Sequence, residues 1–369
     1  MPRSKQALLD VISNFEISGK IVDVQLWGSG HIHDTYASTV QTPAGQRRYI
    51  HQWINHHVFK EPVKVMQNIE VVTRYARQQI LTNGGDPMRE TLNLVPAKSS
   101  QSYYRSPEGD YWRTYIFIEG ARTYDQIDNP NHIYNAAKAF GNFQKMLTGL
   151  SGNELHETIP GFHDTPRRYQ AFLQAVQSDS HNRAVEVKPE IDFIVQREPA
   201  MHVVMDLLRQ GKLPQRVTHN DTKLNNVMID DLTGEGICVI DLDTVMPGTV
   251  LYDFGDCVRL GAGTAVEDET DLERVRFDLQ KFSLLAGGFL EATRHFLTPI
   301  EVEYLPFSAL LLTLEVAMRF LTDYLNGDIY FRIHRPKHNL ERARNQLKMV
   351  KEIEANLERM RTIVAEHAG

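Results

Sequence analysis

Cysteine is nearly absent from this chain. Two thiols, Cys238 and Cys257, in 369 residues exclude a disulfide-stapled scaffold and a thiolate zinc site, and they suit a reducing cytoplasm. A basic excess is absent as well. The 40 Lys and Arg stand against 47 Asp and Glu, a net charge of −7, so there is no overall field to draw in nucleic acid. The opening stretch MPRSKQALLDVISNF lacks the unbroken apolar core of a signal peptide. No stretch reads as long and apolar enough to span a membrane. There is no G-x4-G-K-[ST], which sets aside a P-loop fold. His156-Glu157 has Pro160 where H-E-x-x-H needs its second His, so a zinc-protease site is excluded. No internal repeat and no long low-complexity linker interrupt the chain. With 42% hydrophobic and 24% charged residues, it reads as a globular protein large enough for two lobes. Neither nucleic acid nor a membrane is an expected partner, and no oligomer is predicted.

What is present concentrates between Val217 and Asp256: VTHNDTKLNNVMIDDLTGEGICVIDLDTVMPGTVLYDFGD. A polar run, His219 to Asn226, precedes a short apolar stretch, an Asp- and Gly-rich turn, a second apolar stretch and Asp241-Leu242-Asp243. Apolar run, Gly-bearing turn, apolar run is a hairpin signal. A hairpin brings Asn226, before its first strand, beside Asp241, after its second. An Asn oxygen and a carboxylate at one end of a hairpin form a hard-oxygen site suited to Mg²⁺. Asp221, five residues upstream of Asn226, is the spare carboxylate, placed to accept a proton. This is what phosphoryl transfer requires: metal on the phosphates, an in-line hydroxyl and a base to orient it. Asp241 is the expected metal carboxylate ahead of Asp243. Asp253-Phe254-Gly255 spells D-F-G but no strand precedes it directly, so Asp253 is expected to open a helix and brace the catalytic loop.

The flanking chain reads as two lobes, 1–119 and 120–369. In the first, a helix from about Lys5 to Phe15 is followed by strands Ile21–Trp27, Thr35–Gln41 and Arg48–Ile54. The loop Gly28-Ser29-Gly30-His31 between the first two strands lets backbone N–H groups approach phosphates. The third strand, Tyr49-Ile50-His51-Gln52-Trp53, holds no Lys for the α/β-phosphates. Gln52 or His51 occupies the position, so either a neutral donor or a base from elsewhere serves. Helix Pro62–Ile80 carries Glu70, a candidate partner for such a base or a solvated Glu. Strand-like pieces follow at Leu92–Val95 and Ser102–Arg105. Tyr111 to Gly120 reads as a strand running into a hinge, with adenine expected against Phe117, Ile118 and Glu119.

In the second lobe helices are expected at His132–Leu150, Arg167–Val176, Pro189–Arg209, Leu272–Phe296, Ile300–Leu325 and Leu340–Glu366. Glu315 and Arg319 are four apart on one helix face. They form either a helix ion pair or an arginine held for another partner, such as a sugar or a phosphate.

The spacing His219-x-Asp221-x4-Asn226 followed by Ile240-Asp241 resembles the kinase-like aminoglycoside phosphotransferase superfamily. Together with GSGHIHDTY, IDLDTVMPGTVLYDFGD and MRFLTDYLNGDIYF, spread over nearly the whole chain, it resembles the bacterial N-acetylhexosamine 1-kinases. The resemblance implies a two-lobed α+β fold with a small antiparallel-sheet lobe and a large helical lobe. It implies ATP and Mg²⁺, and transfer to the anomeric hydroxyl of N-acetylglucosamine or N-acetylgalactosamine. By it, Asp221 is the base, Asn226 and Asp241 bind metal, and Arg319 and Tyr330 line the sugar pocket with His31 reaching from the glycine loop. It also implies a Gln in place of the strand Lys. Other acceptors on the same fold (another sugar, an amino alcohol, an aminoglycoside) and a nucleotide-binding regulator without turnover are the competing readings.

Overall fold

A computed structural model describes residues 3–28, 32–124 and 129–369. Helix α1 (Lys5–Ile12) is capped by Ser4, whose hydroxyl accepts from the Ala7 N–H. Strands β1 (Lys20–Leu26), β2 (Asp34–Thr42) and β3 (Gly45–Ile54) form an antiparallel meander. Helix α2 (Pro62–Thr82) follows, with Pro62 in its first turn, where a missing N–H is harmless. Strands β4 (Tyr104–Arg105) and β5 (Tyr111–Ile116) complete a sheet of order β1-β2-β3-β5-β4.

Side chains alternate across this sheet, as strand geometry demands. Tyr49 and His51 of β3 face a core shared with α1, which contains Leu8, Phe15, Tyr36 and Trp112. Ile54 and Tyr115 on the other face join the main core with Met66, Ile69 and Val72 of α2. The alternation therefore decides between the two candidates on β3. His51 points away from the lobe interface, 1% exposed, with Nε2 at 2.8 Å from Ser38 Oγ and Nδ1 at 2.9 Å from Thr114 Oγ1. Gln52 faces the opposite side.

After β6 (Ala121–Arg122) the chain turns helical: α3 (Pro130–Met146), α4 (Thr165–Ser178), α5 (Lys188–Val195) and α6 (Glu198–Arg209). Short strands β7 (Arg216–Thr218), β8 (Val227–Asp230), β9 (Gly236–Val239) and β10 (Met246–Gly248) carry the polar run. Helices α7 (Val250–Gly261), α8 (Leu279–Thr293), α9 (Pro299–Leu325) and α10 (His338–Ala368) close the lobe.

Two helices differ from expectation. The stretch 189–209 is two helices, because Pro199 sits in the first turn of α6 and denies the preceding turn a hydrogen bond. The stretch 272–296 becomes helical only at Leu279, where the Asp278 carboxylate caps the N–H groups of Gln280 and Lys281. One absence is also corrected. Helix α9 is long and apolar enough to cross a membrane by length and composition, with a mean hydropathy of 1.5. It is instead a core helix, 83% buried over its most apolar window, and it packs on α7 and α10.

Burial lowers the pKa of His51 to about 3. The unfolded chain binds a proton near pH 6.5 and the folded chain does not, so stability falls as pH drops from 6.5 towards 3. Between pH 7.5 and pH 5 this group should remove about 2 kcal/mol of unfolding free energy in the wild type. His51→Gln should lose that part of the pH dependence. Urea titrations at the two pH values measure this, and an equal loss of unfolding free energy in both proteins would contradict the assignment.

Candidate active site

The hairpin forms as the spacing requires. Val227 pairs with Val239, and the Ile240 N–H donates to the Asn226 carbonyl at 2.8 Å. Asn226 and Asp241 therefore meet at its open end. The His219 ring ties the loop to the same strand end: Nε2 donates to the Ile240 carbonyl at 2.9 Å and Nδ1 accepts from the Asp221 N–H at 3.3 Å. Asn220 and Asp241 both adopt positive φ, 65° and 61°. Such backbone strain persists only where surrounding bonds hold it.

The D-F-G string supplies those bonds. Asp253, in the first turn of α7, accepts from the N–H groups of His219 at 3.0 Å and Asn220 at 2.7 Å, and from the Gln144 amide. Phe254 is core at 1% exposure. Gly255 lets α7 approach α9, since a Cβ there would lie 2.5 Å from the Ser308 carbonyl oxygen. The brace expected of Asp253 is present in the geometry.

Three carboxylates share the hairpin end, and their surroundings differ. Asp221 accepts from Lys223 Nζ at 2.8 Å, and the two side chains are 20% and 40% exposed. Burial pushes the Asp221 carboxyl up, but the Lys223 charge and hydrogen bond outweigh it and hold it below the usual carboxylate range. The Asn226 amide donates to the Asp221 carbonyl at 3.0 Å, so its Nδ2 is turned to the loop. Asp243 is gripped by Arg113 of β5 through two parallel bonds of 2.7 and 2.6 Å, both side chains 1% exposed. Burial opposes ionisation there too, and the guanidinium outweighs it, holding the Asp243 carboxyl well below its ordinary value. His33 Nδ1 accepts from the Asn55 N–H at 3.1 Å, which leaves the ring proton on Nε2, 3.5 Å from Asp243 Oδ1. Among the described residues Asp241 forms no ion pair, and burial with the charges of Asp243 and Asp221 pushes its carboxyl up against the pull of His33 and Lys223.

The donor set fits a divalent cation. His33, Asp241 and Asp243 lie with ring and carboxylate atoms within 4.8 Å of one another, but His33 Nδ1 is taken by Asn55 and Asp243 by Arg113. Of the three, Asp241 is the group that no ion pair among the described residues holds, and Ile240, just before it, bonds to the Asn226 carbonyl. Mg²⁺ takes one or two carboxylates and keeps its remaining positions for water and phosphate.

Beside the β3 position that lacks a Lys stands Arg113 of β5, its guanidinium occupied by Gln52 and Asp243. Gln52 pairs with Arg113 across the sheet, accepts from its Nε at 2.9 Å and donates to Thr35 Oγ1 at 3.1 Å. Among the described residues Glu70 has no basic partner, so the expected helix-borne Glu is not part of this network. Asn68 of α2 instead holds the large lobe, donating to the carbonyls of His156 at 2.8 Å and Val245 at 2.9 Å. Gly28 turns at φ 77°, while Ser29, Gly30 and His31 lie outside the described residues. After β5, where the hinge is expected, the Arg48 guanidinium lies 3.7 Å from the Phe117 ring centroid and binds the Glu119 carboxylate. Trp27 meets Phe117 edge-on at 5.3 Å, and Ile118 is buried.

Arg319 and Tyr330 are brought together. The Arg319 guanidinium sits 5.2, 5.9 and 5.5 Å from the rings of Phe162, Tyr330 and Phe331. Among the described residues no carboxylate pairs with it. Glu315 turns instead to His163 Nδ1 at 2.8 Å and Thr165 Oγ1 at 2.6 Å. His163 Nε2 faces the Asn220 carbonyl at 3.2 Å, linking this aromatic slot to the loop that carries Asp221. Arg113, Lys223, His33 and His163 were not picked out by the motif. The signal was there for two of them: Lys223 lies two residues past Asp221, and an arginine in the strand Tyr111–Ile116 demands a partner.

Residues 70–287, more than half of the chain, match the sequence profile of the Phosphotransferase enzyme family, and the chain belongs to that family. An aminoglycoside phosphotransferase from Alicyclobacillus acidocaldarius shares the fold with 13% identity, over 99% of this chain and 98% of the other, at a TM-score of 0.61. A microcompartment-associated aminopropanol kinase does so with 12% identity, over 97% and 99%, at 0.56. A spectinomycin phosphotransferase in complex with ADP and spectinomycin does so with 13% identity, over 96% and 99%, at 0.54. The fold is thus the two-lobed kinase-like α+β fold.

Removing Arg113 alone should strand a buried carboxylate. Arg113→Met should cost about 3–5 kcal/mol of unfolding free energy, and adding Asp243→Asn should return a large part of it. Chemical denaturation of the two single variants and the double variant measures this. Strictly additive losses would contradict the coupling.

Proposed function

We propose that this protein is an ATP-dependent kinase that phosphorylates the anomeric hydroxyl of N-acetylglucosamine or N-acetylgalactosamine. The reaction class follows from the family and from the arrangement of Asp221, Asn226 and Asp241. The acceptor class rests on one observation, the Arg319 guanidinium held between Phe162, Tyr330 and Phe331 with no carboxylate partner among the described residues. Arg168 adds a second positive charge nearby, its own pKa lowered by burial and by Arg319. Two guanidinium groups repel a cationic amino alcohol or aminoglycoside. A neutral sugar offers them hydroxyl and acetamido oxygens, and its C–H face suits the aromatic rings. The resemblance of MRFLTDYLNGDIYF to the N-acetylhexosamine 1-kinases narrows the sugar.

In the mechanism we propose, ATP lies between the lobes with adenine at Phe117 to Glu119 and phosphates beneath Gly28, Ser29, Gly30 and His31, near Gln52. Asn226 and Asp241 would hold Mg²⁺, which neutralises charge on the phosphates. His31, Arg319 and Tyr330 orient the sugar. Asp221, kept ionised by Lys223, accepts the proton of the anomeric hydroxyl as that oxygen attacks the γ-phosphorus. An anomeric hydroxyl is more acidic than an ordinary alcohol, so a weak base suffices. Positioning supplies most of the rate.

ADP release from Mg·ATP should require N-acetylglucosamine or N-acetylgalactosamine and should fail with their 1-O-methyl glycosides. Release with ethanolamine, aminopropanol or spectinomycin instead would overturn the acceptor assignment. Asp221→Asn should lower kcat by about two orders of magnitude or more while ATP affinity, read by calorimetry, changes little. A variant with most of its turnover would remove Asp221 from the role of base.

A further inference from the structure

Helix α9 carries Glu315, Arg319 and Asp323 at successive four-residue steps on one face. That spacing ordinarily gives Arg an ion pair with one or both carboxylates. Here neither carboxylate takes it. Glu315, fully buried, binds His163 and Thr165. Asp323, 3% exposed, turns to the loop that follows the helix. Its Oδ1 accepts from the N–H groups of Ile329 at 3.0 Å and Tyr330 at 2.8 Å, and its Oδ2 from Phe331 at 2.9 Å and Asn339 Nδ2 at 2.9 Å. The chain reaches those three N–H groups through Gly327 and Asp328, at φ 94° and 62°. Asp328 is pinned in turn by Arg183 at 2.7 Å and Asn339 at 2.9 Å.

We infer that Glu315 and Asp323 are positioning residues for acceptor recognition, each holding one aromatic wall against Arg319 while leaving its charge for the acceptor. Glu315, through His163, fixes the neighbouring Phe162. Asp323 fixes Tyr330 and Phe331. Exposure supports a rigid, functional loop rather than a packed one. Ile329 and Tyr330 are 80% and 56% exposed, so hydrogen bonds from a buried carboxylate, not burial of their own side chains, set their place. A charged acceptor bond to several backbone N–H groups is the strong kind. Glu315 serves the other wall in the same way. Burial raises its carboxyl, and His163, the nearby Arg319 charge and the bond from Thr165 outweigh that and hold it below the usual range. This inference rests on the proposed role of Arg319 at the acceptor site.

A double-variant cycle tests it, on N-acetylglucosamine or on whichever acceptor the wild type turns over. Asp323→Asn should raise the acceptor KM about tenfold and leave the ATP KM within about twofold. In an Arg319→Gln background the same change should add almost nothing, because the wall then positions no charge. An unchanged acceptor KM, or effects that multiply in full, would overturn the inference. Asn339→Ser, which removes one partner of Asp323, should move the acceptor KM in the same direction if Asp323→Asn fails to fold. Turnover of a different acceptor would discard the sugar assignment while leaving the cycle readable. If no acceptor is turned over, limited trypsin digestion decides: the wild type should resist cleavage after Arg332 and Asp323→Asn should be cut there, and equal cutting would overturn the inference.

Discussion

The bidentate contact between Arg113 and Asp243 is the constraint on which the site depends. It joins the last long strand of the small lobe to the turn that follows the catalytic hairpin. Its two ends are desolvated almost completely, which is expensive unless every lone pair and proton is satisfied. The remaining partners are present: Gln52 on the guanidinium, and the His33 ring beside the carboxylate. In many kinases a strand Lys and a helix Glu align the lobe and touch phosphate. Here the cation sits one strand over, and its carboxylate belongs to the other lobe. The pair therefore sets where the small lobe stands over the hairpin, with Asn68 of α2 as a second tie.

That constraint leaves three neighbouring carboxylates in three different settings. Asp243 is neutralised within the protein and serves as structure. Asp221 is paired with a partly exposed lysine, so it stays ionised while part of its side chain remains exposed. Among the described residues Asp241 is the one of the three without an ion pair, on a residue in left-handed conformation at the hairpin end. Differences of this kind between adjacent acids are what assign roles in an active site. The large lobe does the corresponding work from below. Asp253 holds the backbone of His219 and Asn220, and α9 runs from Glu301, bound to Arg216 just ahead of the loop, to Arg319 at the aromatic slot.

Much of this was legible in the sequence, for identifiable reasons. The hairpin and the meeting of Asn226 with Asp241 followed from local pattern alone, because a tight turn dictates which residues face each other. The bracing role of Asp253 followed from the missing strand before D-F-G. Other features were hidden because they depend on tertiary contact. Pairing Arg113 with Asp243 spans 130 positions, and no spacing rule reaches that far. The spacing of Glu315 and Arg319 left two readings open, because helix periodicity reports neighbours on one helix and not His163 arriving from another segment. The break at Pro199 was visible and was overridden by the apolar periodicity on either side. Helix α9 passed unnoticed as a membrane-length segment since its charged and small polar residues are spaced through it. Only packing shows what surrounds it.

The central claim is that Asp241, and not Asp243, is the carboxylate held in reserve for the metal. Calorimetry of ATP binding with and without Mg²⁺, on the Asp241→Asn and Asp243→Asn proteins with their denaturation curves, tests it most directly. The account predicts that Asp241→Asn abolishes the Mg²⁺-dependent part of ATP binding while leaving the fold as stable as the wild type or more so, as expected for a strained functional group. It predicts that Asp243→Asn destabilises the fold by leaving Arg113 buried without its partner. The reverse pattern, with Mg²⁺-dependent binding intact in Asp241→Asn and stability unchanged in Asp243→Asn, would contradict it.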